Sequence, residues 1–120
     1  MKRIMLIGVL VGLLSGLAIL SAALAADSVT MTGEVVDTYC YGLMGAKGES
    51  HRPCGISCAK AGIPMGLLQD GTDKLYVLLP NKDNSPLPPA VMDKMGRKAT
   101  ITGKIYSTGG SQFLTVESIK

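Results

Sequence analysis

All three cysteines and the only histidine of this chain lie between residues 40 and 58, as Cys40, His51, Cys54 and Cys58. The spacing is C-x10-H-x2-C-x3-C, which is not a standard zinc-finger spacing. Any fold of the chain has to dispose of these four side chains. Three thiolates and one imidazole make a complete tetrahedral set of the structural zinc type. Alternatively, two cysteines join in a disulfide and an odd thiol is left over. A lone loop histidine is then only a surface residue.

The start of the chain places these cysteines in an oxidising compartment. Lys2 and Arg3 precede about 22 uncharged residues, "IMLIGVLVGLLSGLAILSAALA". Ala23-Leu24-Ala25 fits the small-residue rule for signal peptidase, with cleavage after Ala25. Residues 1–25 therefore read as a secretory signal peptide. The run is also long enough to span a bilayer as an uncleaved anchor, the one route by which this chain engages a membrane. Either way residues 26–120 are exported, to the periplasm or beyond. Export favours disulfides wherever geometry permits them.

Losing Lys2 and Arg3 lowers the formal net charge from +3 to +1. A chain near neutrality, with one phenylalanine and no tryptophan, does not provide the basic, aromatic groove of a nucleic-acid binder. The remaining residues suffice for one small domain with a core of Val, Ile, Leu and Met. Domains of this size often need a disulfide or a metal as a staple.

Along residues 26–120, "SVTMTGEVVDTYCY" reads as a first strand ending near Cys40, with Gly33 as a bulge or sharp bend. "GLMGAKGES" shows neither helical nor strand period and reads as a loop. "PCGISCAKAG" reads as a two-turn helix, with Pro53 at its start, Lys60 in its last turn and Gly62 closing it. "MGLLQ" and "KLYVLLP" form a hairpin across "DGTD". "PPAVMDKMG" is a short helix closed by Gly96. "RKATITGKIYS" and "SQFLTVESI" are strands joined across "TGG", with Ala99, Ile101, Gly103 and Ile105 on one face.

Five short strands with a helix between the third and fourth match a Greek-key barrel of the OB type. The expected class is all-β with short helices, a five-stranded OB-like barrel carrying a Cys/His insertion at residues 40–62. Gly33 and Gly103 would be its corners. The closing "ATITGKIYSTGGSQFLTVESI" resembles the last hairpin of bacterial tRNA-anti-like OB-fold proteins, in which "v-x-G-k-v…g…l-x-v-e-s-i" recurs. The front, "GEVVDTYCYGLMGAKGESHRPCGISCAKAGIPMGLL", resembles small exported bacterial proteins that join such a barrel to a Cys-rich insertion. The resemblance covers nearly all of residues 26–120. It implies the fold and lends no activity.

Cys54 and Cys58 lie four apart, on one face of the expected helix, with Cβ atoms about 5–6 Å apart. A metal can draw those sulfurs together, whereas a disulfide there is strained. His51 can fold back over the first turn, and Cys40 can approach from the strand. Zinc suits Cys3His; copper(I) also favours thiolates and thioethers, and Met44 and Met65 flank the cluster. Methionine more often fills irregular gaps in a core. The C-x3-C with a nearby histidine is similar in chemistry to periplasmic copper chaperones of thioredoxin fold. Haem attachment lacks its C-x2-C-H.

The leading expectation is a non-enzymatic metal-binding protein, its partners the ion and another envelope protein. Two alternatives stand beside it. One is a thiol–disulfide redox module, in which Cys54 attacks, activated by the helix end and Arg52, and Cys58 or Cys40 resolves. The other is a disulfide-stapled binding barrel. Glu34 and Asp37, three apart in a strand, point to opposite faces and do not pair for acid–base work. Tyr39 and Tyr41 read as packing residues.

Overall fold

The computed structural model describes residues 27–120. The expected signal segment and its cleavage point lie outside the described residues. Among those described, no helix is long and apolar enough to cross a membrane.

Alternating β-branched and polar residues form β1 (Val29–Asp37), the central strand, which pairs antiparallel with β2 (Met65–Gln69) on one side and β4 (Lys98–Gly103) on the other. On its solvent face the hydroxyls of Thr30 and Thr102, and of Thr32 and Thr100, pair across strands at 3.1 and 2.9 Å. Its other face enters the core through Met31 and Val35. β2 runs through the turn at residues 70–74 into β3 (Leu75–Pro80), as the hairpin signal predicts. β3 then pairs in parallel with β6 (Ser111–Val116), and β6 pairs antiparallel with β5 (Ile105–Thr108). The two-residue β7 (Ser118–Ile119) lies against β4.

The helices are α1 (Thr38–Met44), α2 (Arg52–Lys60) and α3 (Pro89–Asp93), with one 3-10 turn at Glu49–His51. The protein is thus mostly β with short helices, as expected. The strand count and closure differ from expectation. Among the described residues there are seven strands in one sheet, ordered β5-β6-β3-β2-β1-β4-β7, and the sheet is not a closed barrel. The two expected C-terminal strands are each split. Lys104 interrupts the first, and its N–H turns to the Thr115 hydroxyl at 2.9 Å. Glu117 interrupts the second, its N–H bonding Thr102 O at 2.9 Å.

Gly103 is required where the first split occurs. A Cβ there would fall on the carbonyl oxygen of Thr115. Gly33 faces the Leu68 carbonyl in the same way, so both glycines permit close backbone approach where the sheet bends.

The core is one apolar cluster. Val35, Leu67, Val91, Met95, Ile101, Leu114 and Val116 are essentially inaccessible. Ile56 and Ala59 of α2 pack against it from the side on which β1 ends. That end of β1 carries the Cys/His segment.

Candidate metal centre

The last residue of β1 organises the centre. Asp37 has extended backbone angles, φ −81 and ψ 137, and caps α1. Its Oδ1 accepts the backbone N–H of Cys40 at 2.8 Å. The strand therefore passes into a helix with no loop between. Cys40, expected to end the strand, instead sits in the first turn of α1, and residues 38–44, read as the end of the strand and the start of a loop, are helical. The reason is the pair of caps. Asp37 satisfies a free N–H at one end, and Gly45, at φ 68, donates its own N–H to Tyr41 O at 2.8 Å at the other.

The chain returns through residues 45–51, and three contacts hold that return. Gly48 donates its N–H to Glu34 Oε1. Glu49 pairs with Arg97 in a two-point contact at 2.7 and 2.8 Å. Arg52 donates from Nη1 to the carbonyl oxygens of Asp93 and Met95, at 2.8 and 2.7 Å. Arg52 thus ties the start of α2 to the α3 end of the fold and is not committed to activating Cys54. The helix expected over 53–61 is present one residue early, with Pro53 in its first turn. Gly62, at φ 97, lies just past its end, and Ile63 N–H bonds Cys58 O at 3.0 Å. Short as it is, α2 has tertiary anchors of its own.

These elements bring the four predicted ligands together. Cys40, His51, Cys54 and Cys58 lie close enough to hold a metal ion. Donor atoms of Cys40, His51 and Cys54 are within 4.8 Å of one another, as are those of Asp37, Cys40 and Cys58. Cys40 is common to both groups and links Cys58 to the other two ligands. Around a tetrahedral zinc with 2.3 Å bonds, sulfur atoms stand about 3.8 Å apart, so Cys58 has to close on Cys54 and His51 as the set contracts. Cys40 is buried, Cys58 half-buried and Cys54 exposed. No cysteine pair is bonded, so the disulfide alternative finds no support in the geometry.

Asp37 is the residue the sequence reading missed. It is fully buried, and its Oδ2 lies 2.8 Å from His51 Nε2. Burial pushes its carboxyl up, but the Cys40 N–H, the His51 ring and the Cys40 thiol outweigh burial and hold it below the ordinary carboxylate value. It is therefore ionised at neutral pH and can only accept hydrogen bonds. The Cys40 thiol is pushed up to about 12, chiefly by burial, then by its hydrogen bond with Cys58 and by the Asp37 charge. Burial likewise raises Cys58. Both are thiols in the metal-free chain at neutral pH.

Searches against family models, curated proteins and solved structures find no match.

The remaining expectations about this region divide. Met65 is buried in the core cluster, as a gap-filling methionine should be. Met44 is 68% exposed, and Tyr39 and Leu43 on the same helix are exposed with it. Tyr39 is therefore not a packing residue. Glu34 serves the Gly48 N–H, whereas Asp37 serves Cys40 and His51. The two carboxylates have separate tasks, in keeping with their reading as an unpaired set.

Proposed function

We propose that this chain is an exported, non-enzymatic metal-binding protein whose Cys40, His51, Cys54 and Cys58 hold one zinc or copper(I) ion. The observation that carries the reading is the convergence of donors from α1, the 3-10 turn and α2 on one centre, with a buried carboxylate behind the imidazole. A carboxylate on the outer nitrogen of a ligating histidine is the common supporting arrangement in metal sites. Four protein ligands leave no open position for a substrate, which favours binding or transfer of the ion over catalysis.

The unequal exposure of the thiols favours transfer. Cys54 faces solvent while Cys40 is buried. An incoming soft ligand from an envelope partner would displace Cys54 first. If the N-terminal apolar run stays in a bilayer, β1 sets the site off from it. The strand's first and last residues are about 26 Å apart, and the cluster lies at the end remote from the N-terminus.

The test is direct. The protein is purified from the periplasm, its metal content measured by elemental analysis, and free thiols titrated before and after chelation. One ion per chain, with three thiols released by the chelator, supports the proposal. One free thiol and no metal supports the disulfide-stapled alternative. The hydrogen-bonded Cys40 and Cys58 thiols keep the redox reading alive, and it predicts a thiol count that follows the redox buffer.

A further inference from the structure

We infer that Asp37 is a positioning residue that fixes the tautomer of His51 and thereby raises the centre's affinity for zinc relative to copper(I). The inference rests on the metal-binding reading above and adds a fifth residue to it. The two overlapping donor groups share Cys40 and together hold five residues, one more than a tetrahedral ion takes, so one of them stands outside a four-ligand centre. Both Asp37 oxygens are already committed, Oδ1 to the Cys40 N–H at 2.8 Å and Oδ2 to His51 Nε2 at 2.8 Å. Its side chain has no exposure to solvent through which to exchange those partners. Asp37 is therefore the outer residue.

An ionised carboxylate accepts and cannot donate, so the proton of a neutral His51 ring sits on Nε2. The lone pair is then on Nδ1, free for the ion. The same carboxylate holds the first turn of α1, which carries Cys40. One side chain thus orients two ligands from two different elements. The selectivity follows from coordination preference. Zinc takes the tetrahedral N/S set and needs the imidazole. Copper(I) is served by soft thiolates, which Cys40, Cys54 and Cys58 supply without it.

Asp37→Asn separates the two roles. Asparagine is as good a helix cap as aspartate, so its oxygen keeps the Cys40 N–H. Its amide then turns N–H groups toward His51, and the ring must accept at Nε2. The proton moves to Nδ1, where it blocks ligation. Exchanging a carboxylate for an amide behind a catalytic histidine fails for the same reason.

The experiment uses the full chain, parent and Asp37→Asn. Nitrogen-15 NMR reads the ring tautomer in the metal-free state, and titrations with zinc alone and copper(I) alone, against chromophoric chelators, read affinity. Expected are an Nε2–H ring in the parent and an Nδ1–H ring in the variant. Zinc affinity should fall about 10–100-fold in the variant, the usual effect of removing such a partner. Copper(I) affinity should stay within about threefold, since the thiolates are untouched. A parent ring protonated on Nδ1 overturns the inference without any variant, so a failure of Asp37→Asn to fold does not protect it. Unchanged zinc affinity, or equal losses for both ions, also overturns it and leaves the metal reading standing. A parent chain that binds neither ion overturns both.

Discussion

Gly55 offers a test of how the centre is held, because it touches no ligand yet sets the height of the helix that carries two of them. It is the one buried residue of α2. A Cβ placed on it would stand 2.7 Å from Met95 Sδ, 2.8 Å from Met95 Cγ and 3.5 Å from Asp37 Oδ2. Carbon contacts are comfortable from about 3.5 Å, so Gly55→Ala requires an opening of about 0.7 Å. Met95 is only 1% exposed and belongs to the core cluster, so it cannot swing out to solvent. The helix has to rise instead. Overpacking of this kind costs about 1–3 kcal/mol. Replacing an interior helical glycine by alanine returns about 1 kcal/mol. The net loss of stability is therefore small, about 0–2 kcal/mol.

Metal binding should suffer more than stability does. Cys54 and Cys58 move with α2, whereas Cys40 stays with α1 and β1. Ligand distances in metal sites tolerate about 0.2 Å, well short of the opening required. We expect zinc affinity to fall by about tenfold or more, equivalent to about 1.4 kcal/mol. Urea melts of the metal-free chain give the stability, and competition titration gives the affinity. The double variant with Met95→Ala makes room for the new methyl and should recover affinity, with a coupling energy of about 0.5–3 kcal/mol. A Gly55→Ala chain that gains the full helical increment and binds zinc as the parent does would refute the packing argument.

Three further outcomes follow from the structure. Burial holds Cys40 near 12 and raises Cys58, so an ion must displace both protons. Affinity should climb about 100-fold per pH unit near neutrality, and calorimetry in buffers of different ionisation enthalpy should count at least about two protons released per ion. A count below one refutes the assignment. In the metal-free chain the folded Cys40 value lies above the ordinary 9.0, so its contribution to stability is complete below pH 9 and is lost as pH rises toward about 12. Denaturant midpoints that are flat across that interval count against a buried neutral thiol. Gly103→Ala should destabilise by about 3 kcal/mol or more, because the new Cβ meets the Thr115 backbone, which cannot yield as a side chain can. A midpoint within 1 kcal/mol of the parent, on the same urea melts, contradicts the close approach described at that bend.

Much of the fold was legible because punctuation and period agreed. Pro53 and Gly62 bracket α2, and residues 70–74 separate two apolar runs that become β2 and β3. The split of the last strands was not legible, since Lys104 and Glu117 sit in patterns that continue to alternate through them. What breaks the ladder is the bend at Gly103, and its close approach to Thr115 is a tertiary fact. α1 was missed for a different reason. Its interior, with Thr38, Gly42 and two tyrosines, is poor in helix formers, and the caps that sustain it act from outside it. The four ligands were legible from their chemistry and spacing. Asp37 was not, because strand alternation assigns faces only while the strand lasts. At its final residue the carboxylate turns to cap a helix.

That junction bears on what a metal would do here. In small zinc-finger domains the unligated chain is unfolded, and binding energy is folding energy. In this chain protein contacts fasten the return from α1 to α2. Glu34 holds Gly48, Arg97 holds Glu49, and Arg52 reaches two carbonyls at the end of α3 and just past it. Ile56 and Ala59 seat α2 on the core. Asp37 joins the Cys40 and His51 elements across the centre. These contacts hold the segment through groups other than the thiols, which lowers the ordering cost that falls on binding. An ion present at 100 times its dissociation constant still adds about 2.7 kcal/mol by mass action. For a domain of this size that raises the melting temperature by about 10–20 °C. Chelation should remove that increment and leave the far-ultraviolet signal of the folded chain intact below the lower midpoint. A staple needed for folding cannot be surrendered without losing the domain. A chain that stays folded after chelation could release its ion and take up another, whereas one that unfolds would hold its ion as a staple.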